Sequence, residues 1–313
     1  MKGQIITTLI LLVTMLSFAQ QDKVLTGQIF DETTGETIPY ATIEIFEKEI
    51  GTAANSKGIY SLQLPNDFIN QTLSISALGY SKKEIQINNE FDIKNCSIYL
   101  EPQIYTLPEF TFRDLSGQTE QLGNTPVDED KGGSYPGLII GEQIAVYMKP
   151  KTDYPAIIKF VSFHIEKKTR GFKRANTPFR IRIYGVDTIS RGPGQDLIIE
   201  DLIVSGPKKG GWFTVDVSSY QIPVPENGFF VAMEWIYTDD KYFYTYINKY
   251  NNNMKETKYG QSLHIYWWNK ESISWRNPLG KKWIKDEISI PLIGKGLKKA
   301  NAAIYCEIEF VNE

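Results

Sequence analysis

Apolar and polar residues alternate in short runs along most of this chain. Ala41, Ile43 and Ile45 alternate with Thr42 and Glu44, Tyr60, Leu62 and Leu64 with Ser61 and Gln63, and Leu73, Ile75 and Ala77 with Ser74 and Ser76. A period of two sends successive side chains to opposite faces of a strand, so each run buries one face and leaves the other in water. Thr34-Gly35-Glu36, Asn55-Ser56-Lys57-Gly58 and Leu78-Gly79-Tyr80 separate the runs, where glycine reaches the positive φ of a tight turn. Roughly seven such strands in under about 80 residues predict a β-sandwich between Val24 and Leu100.

The pattern continues beyond Gly137 on a larger scale. Strand-like runs fall at Ile139–Met148, Ile157–Ile165, Phe179–Tyr184, Leu197–Val204, Trp212–Val217, Phe229–Ile236, Tyr242–Ile247, Ser262–Trp268 and Ala302–Val311. Gly192-Pro193-Gly194 and Glu226-Asn227-Gly228 punctuate them. Phe179, Ile181 and Ile183 alternate with Arg180, Arg182 and Tyr184, and Val161, Phe163 and Ile165 with Ser162 and His164. Helical periodicity is almost absent. The fold class is therefore all-β: a small seven-stranded sandwich followed by a larger, jelly-roll-like one.

The first region also carries a family pattern. Gly27 to Asp31, then Thr34-Gly35-Glu36-Thr37-Ile38-Pro39-Tyr40-Ala41-Thr42-Ile43, Gly51-Thr52, Asn55 to Gly58 with Tyr60, Ser61 and Leu62, and Ser76 to Tyr80 with Glu84, Ile85 and Ile87 follow in order. This resembles the carboxypeptidase regulatory-like domain. The resemblance implies a transthyretin-like sandwich of the kind found N-terminal to outer-membrane nutrient receptors of Gram-negative bacteria. Leu100-Glu101-Pro102 and Leu107 to Phe112 look like the exit strand that leads in those receptors to a plug and a barrel. The roughly 200 residues that remain are too few for both. The family domain has no catalytic residues to transfer, and the metallopeptidase domain with its His and Glu zinc ligands is absent.

Domain boundaries follow from composition. Met1-Lys2, the apolar run Ile5–Leu16 broken only by threonines, and Ser17 and Ala19 before Gln20 have the anatomy of a secretory signal peptide over residues 1–19. The run is shorter than the ~20 residues of a membrane span, so the mature chain is expected not to cross a membrane. Residues 20–114 form the regulatory-like sandwich and 138–313 the aromatic-rich one. Between them, residues 115–137 hold five Gly and two Pro around Asp128-Glu129-Asp130 and read as a linker. The acidic triplet lacks the spaced ligands of a dedicated calcium loop. Residues 20–115 carry 14 acidic against 7 basic side chains, a shift that supports the boundary.

Net charge is −3, which argues against nucleic acid as a partner. The 2 His and 2 Cys leave no metal-ligand spacing, and no nucleophile elbow, phosphate loop or dinucleotide fingerprint occurs. No catalytic residue, metal or cofactor is assigned. Cys96 and Cys306 read as two buried thiols, although an oxidising compartment would permit their pairing. Glu234 with Asp216 remains a formal carboxylate pair, with a hydrogen-bonded structural Glu the simpler reading.

The aromatic residues supply the candidate chemistry. All 6 Trp lie in the second domain, and exposed rings stack on the apolar faces of sugars. Tyr266, Trp267, Trp268, Asn269 and Trp275 are the candidate ligand-binding residues, against the alternative that these rings fill the core and cover its ends. Tyr242, Tyr244 and Tyr246, with Phe243 opposite, are similarly ambiguous. The expected protein is an exported, non-enzymatic binding protein of the periplasm or cell surface. Its partner would be a glycan or an envelope protein. A carbohydrate-active hydrolase and a purely structural envelope component are the alternatives.

Overall fold

The computed structural model describes residues 23–103, 115–124, 132–135, 140–166, 176–248, 254–268, 271–279, 281–286, 289–292 and 296–312. The signal-like segment 1–19, the acidic triplet 128–130, the exit strand 107–112 and Asn269 lie outside these residues.

The first unit is the seven-stranded sandwich that its alternation predicts. Its strands are β1 (Lys23–Asp31), β2 (Thr42–Ile45), β3 (Ile50–Ala53), β4 (Ile59–Leu64), β5 (Thr72–Ser76), β6 (Lys83–Gln86) and β7 (Cys96–Leu100). They form one sheet in the order β4-β1-β7 and a second in the order β3-β2-β5-β6. Leu25 and Ile29, Tyr60, Leu62 and Leu64, and Ile98 and Leu100 from the first sheet meet Ile43, Leu73 and Ile75 from the second in one buried core. In β4 the pattern is strict: Tyr60, Leu62 and Leu64 are buried while Ile59, Ser61 and Gln63 are exposed. The turn before it is set by Asn55, whose Oδ1 accepts from the Lys57 and Ile59 amides at 2.8 and 3.1 Å. Gly58 follows at φ 73°, and a Cβ there would fall 2.9 Å from the Ile29 and Ile38 carbonyl oxygens, so position and conformation both require glycine.

The second unit packs two larger sheets. One contains β10 (Gln143–Met148), β12 (Pro178–Val186), β13 (Pro193–Asp196), β14 (Ile203–Ser205), β16 (Phe229–Glu234), β20 (Ser274–Asn277) and β21 (Ile284–Lys285). Its main path is β13-β12-β16-β10-β20-β21. The other contains β8 (Leu115–Gly123), β9 (Gly132–Tyr135), β11 (Ala156–Ile165), β15 (Gly211–Asp216), β19 (Leu263–Trp268), β22 (Ser289–Leu292), β23 (Gly296–Ala302) and β24 (Ile304–Val311), with main path β22-β23-β19-β11-β24-β8. Ile144, Val146, Ile181, Ile183, Val231 and Met233 from the first sheet oppose Val161, Phe163, Ile165, Leu263, Ile304 and Ile308 from the second. A separate hairpin, β17 (Phe243–Asn248) with β18 (Met254–Tyr259), completes the unit. The helical content is three single-turn 3₁₀ segments among the described residues.

Two features differ from the sequence reading. Residues 115–123 and 132–135, read from their glycines as part of a linker, are β8 and β9, paired antiparallel with β24 and β19. β8 is mostly exposed on its side chains and sends only Leu122 into the core, so backbone pairing more than apolar alternation places it in the sheet. The run read as one strand over Leu197–Val204 is instead a connection between the short strands β13 and β14. Both cysteines are free thiols: Cys306 is buried in the second core, and Cys96 is half-buried on β7 of the first unit. No helix among the described residues is long and apolar enough to cross a membrane.

The two units also touch. Leu279 is 5% exposed and wedges between them; a Cβ on Gly51 would lie 2.7 Å from its Cγ, and one on Gly141 3.0 Å from its Cδ1. Lys281 Nζ sits 2.6 Å from Glu49 Oε2. The Arg180 guanidinium stacks over the Tyr40 ring at 5.3 Å.

Candidate functional site

The outward face of the sheet built on β12, β16 and β10 carries the chemistry. Because Phe179, Ile181 and Ile183 point into the core, Arg180, Arg182 and Tyr184 must point out. Register then aligns three rows across the sheet. Gln143 pairs with Glu234, which pairs with Arg180; Ala145 with Ala232 and then Arg182; Tyr147 with Phe230 and then Tyr184. On the far side of β10, Trp275 pairs with Ala145 and Asn277 with Gln143. One face therefore holds a polar row, a row with Ala145 and Ala232 between Trp275 and Arg182, and an aromatic row.

The aromatic end is a second, smaller apolar cluster. Ala145, Tyr184, Phe230 and Ala232 are buried, and Tyr147, Val186, Trp275 and Trp283 pack on them. Trp275 stands edge-on to Phe230 at 6.0 Å, and Trp283 edge-on to Tyr184 at 5.7 Å. Alanine at 145 and 232 leaves room for the two indoles to lie over the sheet. Both remain partly exposed, and beside Trp275 opens a groove of about 330 Å³ lined by Tyr147, Val186, Arg191, Ile273 and Lys285 among others.

The polar end is a buried ion network. Arg182 donates from Nε and Nη2 to the two oxygens of Asp196 at 2.8 and 2.6 Å, and from Nη1 to Glu234 Oε2 at 3.2 Å. Arg180 Nη1 lies 3.5 Å from the same Glu234 oxygen, and its Nε 3.2 Å from Asp201 Oδ1. Arg180 and Glu234 side chains are 2% and 1% exposed. The Tyr184 hydroxyl donates to Gln143 Oε1 at 2.6 Å. Burial pushes the Tyr184 and Tyr40 hydroxyls up in pKa, so both are neutral at physiological pH. Over this end sits the first unit, and between the two units lies a cleft of about 290 Å³.

The sequence-predicted residues fare differently. Trp275 is on this face. Tyr266 is 2% exposed and packs against His264 at 4.8 Å, which removes it from any surface platform. Trp267 and Trp268 belong to β19, on the opposite sheet, but their side chains are outside the described residues, as is Asn269. Tyr242, in the 3₁₀ turn before the hairpin, and Tyr244 on β17 are buried, while Phe243 is 40% exposed. Glu234 and Asp216 do not form a carboxylate pair: Glu234 is held by two arginines, and Asp216 Oδ1 accepts from the Ser218 amide and hydroxyl at 2.9 and 2.6 Å.

Sequence reasoning missed the ion network and the partner supplied by Tyr40. The signal present was a pair of arginines alternating with core residues and a glutamate inside an otherwise apolar run. Reasoning from spacing also kept the two histidines apart. Strand pairing sets their rings 4.7 Å apart, edge to face, with His264 Nδ1 2.6 Å from Glu166 Oε1. No group of three or more His, Cys, Asp or Glu among the described residues has a metal-binding arrangement.

Residues 25–111 match the family model of the CarboxypepD_reg-like domain, a stretch that covers the first sandwich. The first unit is thus a β-sandwich that carries the regulatory-like pattern its motifs imply. No curated protein matches the chain.

Proposed function

We propose that this is an exported, non-catalytic binding protein of the bacterial cell envelope that engages a glycan through the outward aromatic face of its second unit. The observation that carries the reading is the placement of Trp275 and Trp283, partly exposed, on the cluster that holds Ala145 and Ala232, with Trp275 lining a groove that also carries Arg191, Glu271, Ser272 and Lys285. Planar rings offer a face to the C–H groups of a sugar, and neighbouring polar groups fix its orientation. Export is supported by the signal-like first nineteen residues, and an envelope setting by the company that regulatory-like domains keep.

A hydrolase is less favoured by the same face. Glu234 on this face is buried and held by Arg180 and Arg182 behind the cleft lining, rather than presented to a substrate. A glycan array probed with the purified chain and with Trp275→Ala tests the reading. Saturable binding to a glycan class, lost in the variant, is expected. Absence of binding to every glycan refutes it. Recovery of an uncleaved N-terminus from the cytoplasm of the expressing cell would refute export.

A further inference from the structure

The cleft between the two units is made of groups that the packing of two sandwiches does not require. Charged side chains buried at a seam cost more in desolvation than apolar ones, and an apolar seam of the same shape would hold at least as well. Yet Arg180, Arg182 and Asp196 all line this cleft, and Glu234 lies directly behind them. The first unit faces them with Thr42, Glu44 and Ser76, and with Tyr40, whose backbone is held at φ 56°. A non-glycine residue in that left-handed region is strained. Such strain gathers where a side chain must be aimed, and here it sets the Tyr40 ring beneath Arg180.

We infer that this cleft is a binding site for a neutral, hydroxyl-rich ligand about the size of one sugar ring, with half of the site supplied by each unit. The inference rests on the glycan-binding reading and adds to it the subsite, its chemistry and the role of the first unit. Three points select the ligand class. Arg182 is committed to Asp196 and Glu234, whereas Arg180 has Glu234 and Asp201 at ion-pair distance and keeps a buried Nε without a hydrogen-bond partner. The two arginines face three carboxylates, and the cleft's Lys82 is paired with Glu84 while Glu44 adds a further carboxylate, so a free anion is not favoured. A metal ion has no cluster of three ligands among the described residues. What remains is dense in paired donors and acceptors. Carboxylate oxygens of Asp196 keep lone pairs beyond those used by Arg182, and Thr42, Ser76, Gln143 and Asn277 add hydroxyl and amide groups. A fork of alternating acceptors and donors matches adjacent hydroxyls, while the Trp283 ring at the rim offers a stacking face. The volume, about 290 Å³, lies at the small end of ligand pockets.

The test is titration of the purified chain with D-glucose, D-mannose and N-acetylglucosamine, with glucuronate as the anionic comparison. Tryptophan fluorescence and calorimetry follow binding. At least one neutral sugar should bind saturably, and glucuronate more weakly. Thr42→Val and Ser76→Tyr, both in the first unit, should each weaken that binding tenfold or more, as should Asp196→Asn in the second, with circular dichroism confirming that the variants fold. Should Ser76→Tyr fail to fold, Thr42→Val, which keeps the side-chain shape, decides alone. If a glycan binds the intact protein and is lost in Trp275→Ala but untouched by the first-unit variants, the inference falls and the broader reading stands. If none of the three neutral sugars binds, the inference falls and the array alone decides the reading. Tighter binding of glucuronate would overturn the ligand class.

Discussion

Removing one charge from the inter-strand network is the sharpest probe of this architecture. In Glu234→Gln the side chain keeps its shape and loses the charge that two guanidinium groups share. Arg182 is cushioned, since its two shortest hydrogen bonds run to Asp196. Arg180 is not: its Nη1 faces Glu234, and its other recorded acidic partner, Asp201, is 37% exposed and hydrated. Breaking a buried pair by removing one member costs about 3–5 kcal/mol, and the surviving Arg182–Asp196 fork places this case near 3. For a unit of this size that is a fall in Tm of roughly 6–12 °C, at about 2–4 °C per kcal/mol. Urea and thermal unfolding followed by circular dichroism measure it. The double variant Arg180→Met/Glu234→Leu carries the argument further. It withdraws the charge and its partner together, lets Met pack on Tyr40, and leaves the Arg182–Asp196 fork intact, so it should recover most of the loss. A single variant costing under about 1 kcal/mol, or a double variant no better than the single, would refute the description of this network as buried and mutually dependent.

Three further outcomes follow from features already described. Leu279→Ala empties the wedge between the units; it should cost about 2–4 kcal/mol and separate one thermal unfolding transition into two, while a single unshifted transition would show that the contact does not couple them. Asp31 accepts hydrogen bonds from the Thr34 and Thr33 amides and the Tyr80 hydroxyl, foremost from Thr34, and these hold its carboxyl below the usual range. A depressed pKa contributes stability that is present above the unfolded value and lost as pH falls through the folded one, so Asp31→Asn should lower the urea midpoint at pH 7 by more than it does below about pH 4; an equal effect at both would count against it. Burial pushes the Cys306 thiol up, so Ellman's reagent should leave it unmodified in the native protein and react with it only in denaturant, and rapid native labelling at Cys306 would contradict its place in the core.

How much of this was legible beforehand depended on whether the information was local. β4 reads directly from Tyr60, Leu62 and Leu64, because each residue's environment is decided by its own sheet and core. Arg180 and Arg182 were likewise assigned to the face opposite Phe179, Ile181 and Ile183 by period alone. What period cannot supply is register. Nothing near residue 234 says that Glu234 will stand between Gln143 and Arg180, or that His164 and His264 will touch, since both follow from pairing strands far apart in sequence. β8 was hidden for another reason: Leu115–Gly123 holds two glycines and a mostly wetted set of side chains, so its membership of the sheet is written in the backbone groups that β24 leaves to be paired. Tyr266 misled in the opposite sense, because an aromatic cluster in sequence does not say which rings face the core.

The placement of β24 governs the order in which this molecule can mature. It lies between β11 and β8, hydrogen-bonded to both, so the segment 115–123 has no neighbour in its sheet until roughly 180 further residues have left the ribosome. The first sandwich needs nothing beyond its own seven strands and can form early. Until β24 arrives the second unit would therefore stand as an open sheet with unsatisfied edges, a natural client for holdase chaperones, and removal of the last ten or so residues would be more damaging than an internal nick in a loop.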